Sequence, residues 1–266
     1  MSKLRYVKTI EQVAAAAEGN PEFLDSTVRS IRTVYETDPA IAKALVPRPL
    51  EPAERPEVHV TLSHVAMHIT PEYTLEIGSA VFGILTKYEG VEGIYIITMP
   101  MTLEAAVVGG RETFGEPKKI AEIDFQREGE AVSASVTRMG MTYLSASGRI
   151  TEPLGARELT EYAYCFKAFP SCNRDKAFDT DPLLVRLEWN HKQETVARME
   201  GELTLGESPI DPVADVPVRR LLRMEYEEGT TQSNGTVLRS VPGEWLLPFL
   251  HGRYDDTSGD GIEVAV

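Results

Sequence analysis

Apolar and polar residues alternate with a period of two through most of this chain, the pattern that predicts half-buried strands. Glycine-containing turns separate several of these runs, among them residues 89–93 and 127–129. The predicted strands are residues 58–69, 73–87, 94–99, 120–126, 131–138, 142–150, 183–189, 195–205 and 220–227. Because short turns join neighbouring runs, the pattern favours a large, mostly antiparallel sheet.

Short helices are predicted in the N-terminal part by residues that cap helices. Thr9 and Gln12 have the spacing of a capping box before an Ala-rich segment, and residues 19–21 (Gly-Asn-Pro) are expected to end that helix. An alternating run at 29–36 then predicts a strand leading into a second helix, capped by residues 37–39 (Thr-Asp-Pro). The sheet is therefore expected to carry a few short helices.

Composition and charge narrow the function classes. With 266 residues and 42% hydrophobic content, the chain can fill one sizeable core, so we expect a single domain over residues 1–266. The 27 basic residues against 41 acidic ones give a net charge of −14, which repels phosphate backbones and anionic lipids and excludes a nucleic-acid or membrane partner. Neither a membrane span nor a secretory signal is apparent, so a cytoplasmic protein is expected.

Three features that can mark special chemistry have ordinary interpretations here. Cys165 and Cys172 fit neither a redox pair nor a zinc site, and we interpret them as free thiols. His64 and His68 share a strand face, but no residue at a suitable step completes a metal site, so no metal is expected. Residues 234–235 (Asn-Gly) predict a two-residue hairpin turn rather than a glycosylation site.

The strongest chemical signal is a pair of lysines at the start of a predicted strand. Thr102 is expected to cap a short apolar helix that residues 109–110 (Gly-Gly) end, and Pro117 then fixes the backbone before Lys118 and Lys119. The surrounding residues are mainly Val, Ile, Met and Phe. A lysine delivered into such a β-rich body is expected to be partly desolvated.

Residues 110–112 (Gly-Arg-Glu), followed by residues 117–119 (Pro-Lys-Lys) and a strand, resemble the signature of the acetoacetate decarboxylase superfamily. Further segments follow the order of that family, namely residues 34–38, 46–50, 66–68, 73–76, 90–95, 139–140 and 216–218. The resemblance covers most of the chain. It implies a β-rich α+β fold with a mostly antiparallel, cone- or barrel-like sheet, a homo-oligomer, and catalysis without a cofactor.

The resemblance also implies roles for individual residues. Lys118 matches the lysine that forms a Schiff base with a small keto acid, Lys119 matches its neighbour, and Glu76 matches the active-site glutamate of the family. In an extended segment Lys118 and Lys119 point to opposite faces, so desolvation is expected to favour a neutral Lys118 amine while Lys119 is structural. Arg111 and Glu112 are expected to brace the lysine loop.

Three positions depart from the pattern of the decarboxylases. Ser63 stands where those enzymes carry a second glutamate, and Val28 stands where they carry an arginine, with Arg29 one step away as the remaining candidate to bind substrate. Glu116 replaces an aromatic residue, and by strand alternation it is expected to share a face with Lys118, to oppose the lowering of the Lys118 pKa and to contact substrate. These departures put acetoacetate decarboxylation itself in doubt.

Three functions stay open on this evidence. The first is a decarboxylase, in which Lys118 forms the imine and Glu76 transfers protons as an acid and base. The second uses the same lysine to condense pyruvate with an aldehyde co-substrate, with loss of water. The third is a non-catalytic β-barrel protein that binds a small ligand, with Glu76 paired to a lysine. In each, Tyr95 is a candidate wall of the pocket.

Overall fold

Strands dominate the computed structural model, which describes residues 3–18, 24–70 and 72–266 and confirms the predicted β-rich α+β class. The helices are α1 (Ile10–Glu18), α2 (Pro39–Ala44), α3 (Glu104–Thr113) and α4 (Gly243–Leu246). The strands are β1 (Leu24–Glu36), β2 (Glu51–Pro52), β3 (Glu57–Thr70), β4 (Tyr73–Tyr88), β5 (Val91–Met101), β6 (Lys118–Ile120), β7 (Glu122–Glu128), β8 (Ala131–Arg138), β9 (Met141–Pro153), β10 (Arg157–Lys167), β11 (Leu183–Leu205) and β12 (Arg220–Ser240).

Seven strands form a closed ring, because β10 pairs with strands on both sides of it. The order is β10, β5, β4, β3, β1, β12 and β11, and β11 pairs back with β10. The contact of β10 with β5 is parallel and spans only two residue pairs, whereas the other neighbours in the ring are antiparallel. Beyond the ring, β9, β8 and β7 continue the sheet from the distal half of β11.

The main hydrophobic core lies between the ring and the β7–β9 extension. The extension packs over β1, β3 and β4, as the contacts of β7 with β4 and of β8 with β1 show. Fully buried side chains from both layers meet there, including Ile31, Leu62, Phe82, Val136, Leu144 and Tyr226. One face of these ring strands is therefore occupied by the core, and the other is left to face the interior of the ring.

Two long strands run through positions where the sequence predicted a break. The segments 183–189 and 195–205 form the single strand β11, because the polar residues between them still pair with β10 and β12. The hairpin turn predicted at residues 234–235 is wrong, since both lie within β12. Gly235 instead gives room to an aromatic ring: a Cβ there would lie 2.4 Å from Cδ1 of Phe114.

The predicted helix caps are partly confirmed. Thr9 and Gln12 form the reciprocal hydrogen bonds of a capping box at α1, and Asp38 accepts a hydrogen bond from the Ala40 amide at α2. The predicted end of α1 at residues 19–21 lies outside the described residues. Thr102 does not cap α3 but accepts a hydrogen bond from the Gly78 amide, and α3 continues past the predicted stop at residues 109–110. Within the described part of the chain, no helix is both long and apolar enough to cross a membrane.

Candidate active site

The segment that carries the paired lysines is fixed by a tight turn after α3. Gly115 has a φ of 77°, and a Cβ there would lie 2.4 Å from the Lys167 backbone, so only glycine fits this close approach. The chain then enters β6, which pairs in parallel with β5 and places Lys118 opposite Met99. The turn and the pairing together fix where both lysine side chains point.

Lys118 and Glu116 form a buried ion pair. The Lys118 Nζ lies 2.7 Å from Glu116 Oε2, and the two residues are only 8% and 5% exposed. Gly110 of α3 closes over the pair, since a Cβ at this position would lie 2.2 Å from Glu116 Oε2 and 2.5 Å from Lys118 Nζ. The predicted neighbour relation of Glu116 and Lys118 is therefore present, and the amine is held against one carboxylate with little access for water.

Two arginines hold the backbone around this pair. Arg111 donates from Nη1 to the carbonyl oxygens of Lys118, at 2.9 Å, and of Arg253, at 3.0 Å. Arg253 in turn donates to the carbonyl oxygens of Gly115 and Phe166. Burial and the nearby charge of Arg253 lower the pKa of Arg111. Arg111 thus braces the lysine segment, whereas Glu112 lies exposed on α3.

Lys119 lies on the opposite face of β6, in a cluster of charges that borders a second cavity. Its Nζ donates to the Ile210 carbonyl oxygen at 3.2 Å and to Asp211 at 3.1 Å, and it lies 3.2 Å from Asp255. Arg138 pairs with both of these aspartates. Burial acts to raise the pKa of Asp255, but the hydrogen bond from Arg138 and the charge of Lys119 hold it below its ordinary value. All three Lys119 donors are directed at oxygen atoms of this cluster.

Lys118 and Glu116 line a cavity inside the ring. The cavity has a volume of about 170 Å³, and β1, β3, β4, β5, β11 and β12 supply most of its walls. Apolar contacts come from Val28, Val65, Ile77, Val81, Met99 and Trp189. Hydroxyl groups come from Ser26, Ser30, Thr61, Ser63, Ser79 and Thr231. Such a size and mixed lining suit a small organic molecule.

Two charged residues that the sequence did not single out, Arg32 and Glu227, also line the cavity. Arg32 donates to both carboxylate oxygens of Glu161 and lies 3.8 Å from Glu227. Burial acts to raise the pKa of Glu161, but the hydrogen bond from His191 and the charge of Arg32 lower it strongly. Even spacing along β1 from Val28 is the signal that could have found Arg32, since alternate residues share a face.

Glu76 and Arg29 do not reach this cavity. The Glu76 side chain is 61% exposed and lies 3.1 Å from His64 Nε2, while Arg29 Nη2 lies 3.3 Å from His64 Nδ1. On β4 the cavity-facing residues are Ile77 and Ser79, so strand alternation turns Glu76 outward. The structure therefore brings Lys118 together with Glu116 and separates it from Glu76.

Tyr95 also lies away from the cavity. Its ring packs edge-on against Phe166 at 6.0 Å between ring centres, and burial raises the pKa of its hydroxyl. Of the two cysteines, Cys165 is buried and Cys172 is exposed, and both are free thiols. Among the described residues, no group of three or more His, Cys, Asp or Glu side chains is arranged to hold a metal ion.

Comparison with known proteins gives matches along most of the chain. The family model described as acetoacetate decarboxylase matches residues 12–241. Acetoacetate decarboxylase 1 of Bradyrhizobium diazoefficiens is 26% identical over 213 residues, which cover 76% of this chain and 81% of that protein. The CLA biosynthesis isomerase of Lactiplantibacillus plantarum is 32% identical over 126 residues, which cover 45% of this chain and 44% of the isomerase. This second match thus spans less than half the length of the isomerase.

A solved structure shares the fold at low sequence identity. The enduracididine biosynthesis enzyme MppR, complexed with the condensation product of pyruvate and imidazole 4-carboxaldehyde, superposes with a TM-score of 0.70 at 14% identity. The superposition covers 82% of this chain and 90% of that one. At this identity the likeness concerns the fold alone.

Proposed function

Because the chain belongs to the acetoacetate decarboxylase family, we propose that it is an enzyme whose Lys118 forms a Schiff base with a small keto acid. The observation that carries the proposal is the contact of the Lys118 amine with the Glu116 carboxylate, 2.7 Å apart, at the wall of the ring cavity. Lysine attacks a ketone only as the neutral amine, and a carboxylate in contact can take its proton. The relative named acetoacetate decarboxylase 1 supports a keto acid as the substrate class.

Imine formation follows from proton exchange within this pair. Glu116 takes a proton from the Lys118 ammonium, and the free amine attacks the ketone carbon to give a carbinolamine. Glu116 then returns the proton to the carbinolamine hydroxyl, which leaves as water while the nitrogen lone pair forms the iminium bond. At this point Glu116 is again a carboxylate and lies beside the substrate carbon next to the imine.

This proton balance favours condensation over decarboxylation. In an iminium of pyruvate, the Glu116 carboxylate can remove a proton from C3 and leave an enamine, which attacks an aldehyde; loss of water follows. Decarboxylation needs no base and instead needs a proton donor for the enamine carbon, and after imine formation Glu116 holds no proton. Ser63 faces the cavity where the decarboxylases carry a second glutamate, and Glu227, which also lines the cavity, accepts hydrogen bonds from Arg157 and Gln193. The condensation product bound to MppR supports the same choice.

Borohydride reduction with pyruvate, and separately with acetoacetate, tests the proposal. We expect peptide mass spectrometry to find the reduced adduct on Lys118, and pyruvate to be consumed together with an added aldehyde faster than acetoacetate releases CO₂. Lys87→Ala is the matched control, since Lys87 is a partly exposed lysine that lies 3.8 Å from Glu92. It should leave the adduct unchanged, whereas Lys118→Arg should remove it.

Two results would redirect the proposal. Release of CO₂ from acetoacetate faster than condensation of pyruvate would identify a decarboxylase that uses the same lysine. Absence of any adduct on Lys118 at neutral pH would leave the Glu116–Lys118 contact as a stable ion pair, and the protein would then be a non-catalytic small-ligand binder.

A further inference from the structure

A second set of proton-bearing groups lies at the ring cavity, apart from Lys118 and Glu116. His191 of β11 has Nδ1 2.9 Å from Oγ1 of Thr231 and Nε2 3.1 Å from Oε2 of Glu161. The three side chains belong to adjacent strands, because β11 pairs with β12 at Thr231 and with β10 along the run that contains Glu161. They therefore form a continuous line of contacts from carboxylate to imidazole to hydroxyl.

The positions of these three groups relative to the cavity determine which of them can exchange protons with a bound molecule. His191 and Thr231 both line the cavity that Lys118 lines. Glu161 lies behind His191, where Arg32 donates to both of its oxygens. A carboxylate held in this way stays ionised, fixes the proton on Nε2 of the imidazole and leaves Nδ1 to exchange protons with the hydroxyl. The Thr231 hydroxyl is the end of the line farthest from Glu161, and it lines the cavity.

We propose that Glu161, His191 and Thr231 form a proton relay that serves the aldehyde co-substrate in the cavity. The inference rests on the proposed function, because it needs an enamine on Lys118. Glu116 is committed to the imine side, where it takes the C3 proton of pyruvate. Condensation also creates an alkoxide on the aldehyde oxygen, and His191 and Thr231, which line the same cavity as Lys118, can supply its proton.

The relay supplies that proton in a balanced step. The enamine carbon forms a bond to the aldehyde carbon, the nitrogen lone pair becomes the iminium bond, and the aldehyde π electrons move to oxygen. That oxygen takes the Thr231 hydroxyl proton while Thr231 takes the Nδ1 proton of a protonated His191. The positive charge thus moves from imidazolium to iminium, and Glu161 keeps its hydrogen bond to Nε2 throughout. Water reprotonates the relay before the next cycle.

Variants of the relay can be tested against two separate steps of the reaction. Pyruvate in D₂O reports enamine formation through exchange at C3, measured by NMR, and borohydride reports the imine. Pyruvate with acetaldehyde, benzaldehyde or imidazole-4-carboxaldehyde reports condensation. We expect His191→Gln and Thr231→Val to keep the Lys118 adduct and C3 exchange within about twofold, and to lower kcat for condensation by about 10²- to 10⁴-fold with little change in KM.

A conservative variant and a matched control separate the relay from packing. Thr231→Ser keeps the hydroxyl and should retain condensation, unlike Thr231→Val. His68→Gln removes an exposed imidazole that forms hydrogen bonds with Thr27 and Thr74 and lines neither this cavity nor the one beside Glu161, and it should change neither step.

Different results would contradict the relay and the proposed function. Unchanged condensation in His191→Gln, or loss of C3 exchange to the same extent as condensation, would overturn the relay. So would a wild-type protein that exchanges pyruvate but condenses it with none of the three aldehydes. Failure of wild-type protein to give the Lys118 adduct would instead overturn the proposed function and the relay with it.

Discussion

The two faces of β6 carry adjacent lysines with the same burial and opposite surroundings. Lys118 is 8% exposed and Lys119 is 6% exposed. Each lysine borders a cavity, but Lys118 meets one carboxylate, whereas Lys119 meets two aspartates and a carbonyl oxygen, with Arg138 beside them. Burial alone therefore does not make a lysine reactive. What differs is the number of partners that hold the protons of the lysine amine.

The largest effect is expected from removing the amine on the cavity face. Lys118→Arg keeps the positive charge beside Glu116 but cannot form an imine at neutral pH, because guanidinium does not deprotonate there. Turnover of pyruvate should fall by at least about 10⁴-fold, since the covalent route is lost altogether. Borohydride trapping and product analysis measure this loss. Retained trapping on another lysine, with retained turnover, would contradict the assignment of Lys118.

On the other face, the corresponding change should act on stability. Lys119→Met leaves Asp211 and Asp255 with Arg138 as their remaining cation in a buried site, and breaking a buried ion pair costs about 3–5 kcal/mol. Urea unfolding measures this cost. If Lys119→Met kept its stability and lost the imine, the comparison of the two faces would fail.

Gly110 offers a way to disturb the Lys118 face without touching either charge. A methyl group at Gly110 would overlap both Glu116 Oε2 and Lys118 Nζ, so Gly110→Ala should separate the pair and destabilise the fold by about 1–3 kcal/mol. Gly109→Ala is the matched control one residue earlier in α3, where a Cβ meets nothing within 4 Å. It should be neutral or slightly stabilising. Equal trapping rates in the two variants would mean that the contact of Glu116 with Lys118 is not required.

The smallest expected effect concerns pH and the Lys119 cluster. Because the pKa of Asp255 is lowered in the folded protein, this group binds a proton more readily in the unfolded chain, and its contribution to stability is lost as pH falls below about 4. Asp255→Asn should therefore show a smaller loss of stability between pH 7 and pH 3.5 than the wild type. Urea midpoints at the two pH values measure the difference, with Asp260→Asn in the exposed C-terminal segment as control. An undiminished pH dependence in Asp255→Asn would show that the cluster does not control acid stability.

Strand alternation and helix-capping residues were enough to predict much of this fold and the contact of Glu116 with Lys118. Strand alternation put Lys118 and Lys119 on opposite faces and Glu116 on the face of Lys118, and the capping residues located α1 and α2. Alternation is a property of a few neighbouring residues, so it survives without knowledge of the rest of the chain. The expectation for Glu76 came from a motif match instead, and such a match does not say which face of β4 turns inward.

Polar residues inside the ring explain why apolar alternation did not predict the continuous strand β11 or several residues of the cavity. The run between Trp189 and Thr195 interrupts apolar alternation, so it was interpreted as a break between two strands. In the structure that run carries His191 and Gln193 into the cavity, where Thr231 and Glu227 satisfy them. The pairing of Arg32 with Glu161 could not be predicted either, since these residues are distant in sequence and meet only when the ring closes.

Closure of the ring also has a consequence for how the chain folds during synthesis. One side of β1 pairs with β3, which follows soon after it, but the other side pairs with β12, which begins only at Arg220. Until that late strand has left the ribosome, β1 has an open edge that can pair with another chain. Contacts between such distant segments also slow folding. We therefore expect this protein to fold late and slowly, and newly made chains to depend on chaperones that cover the β1 edge.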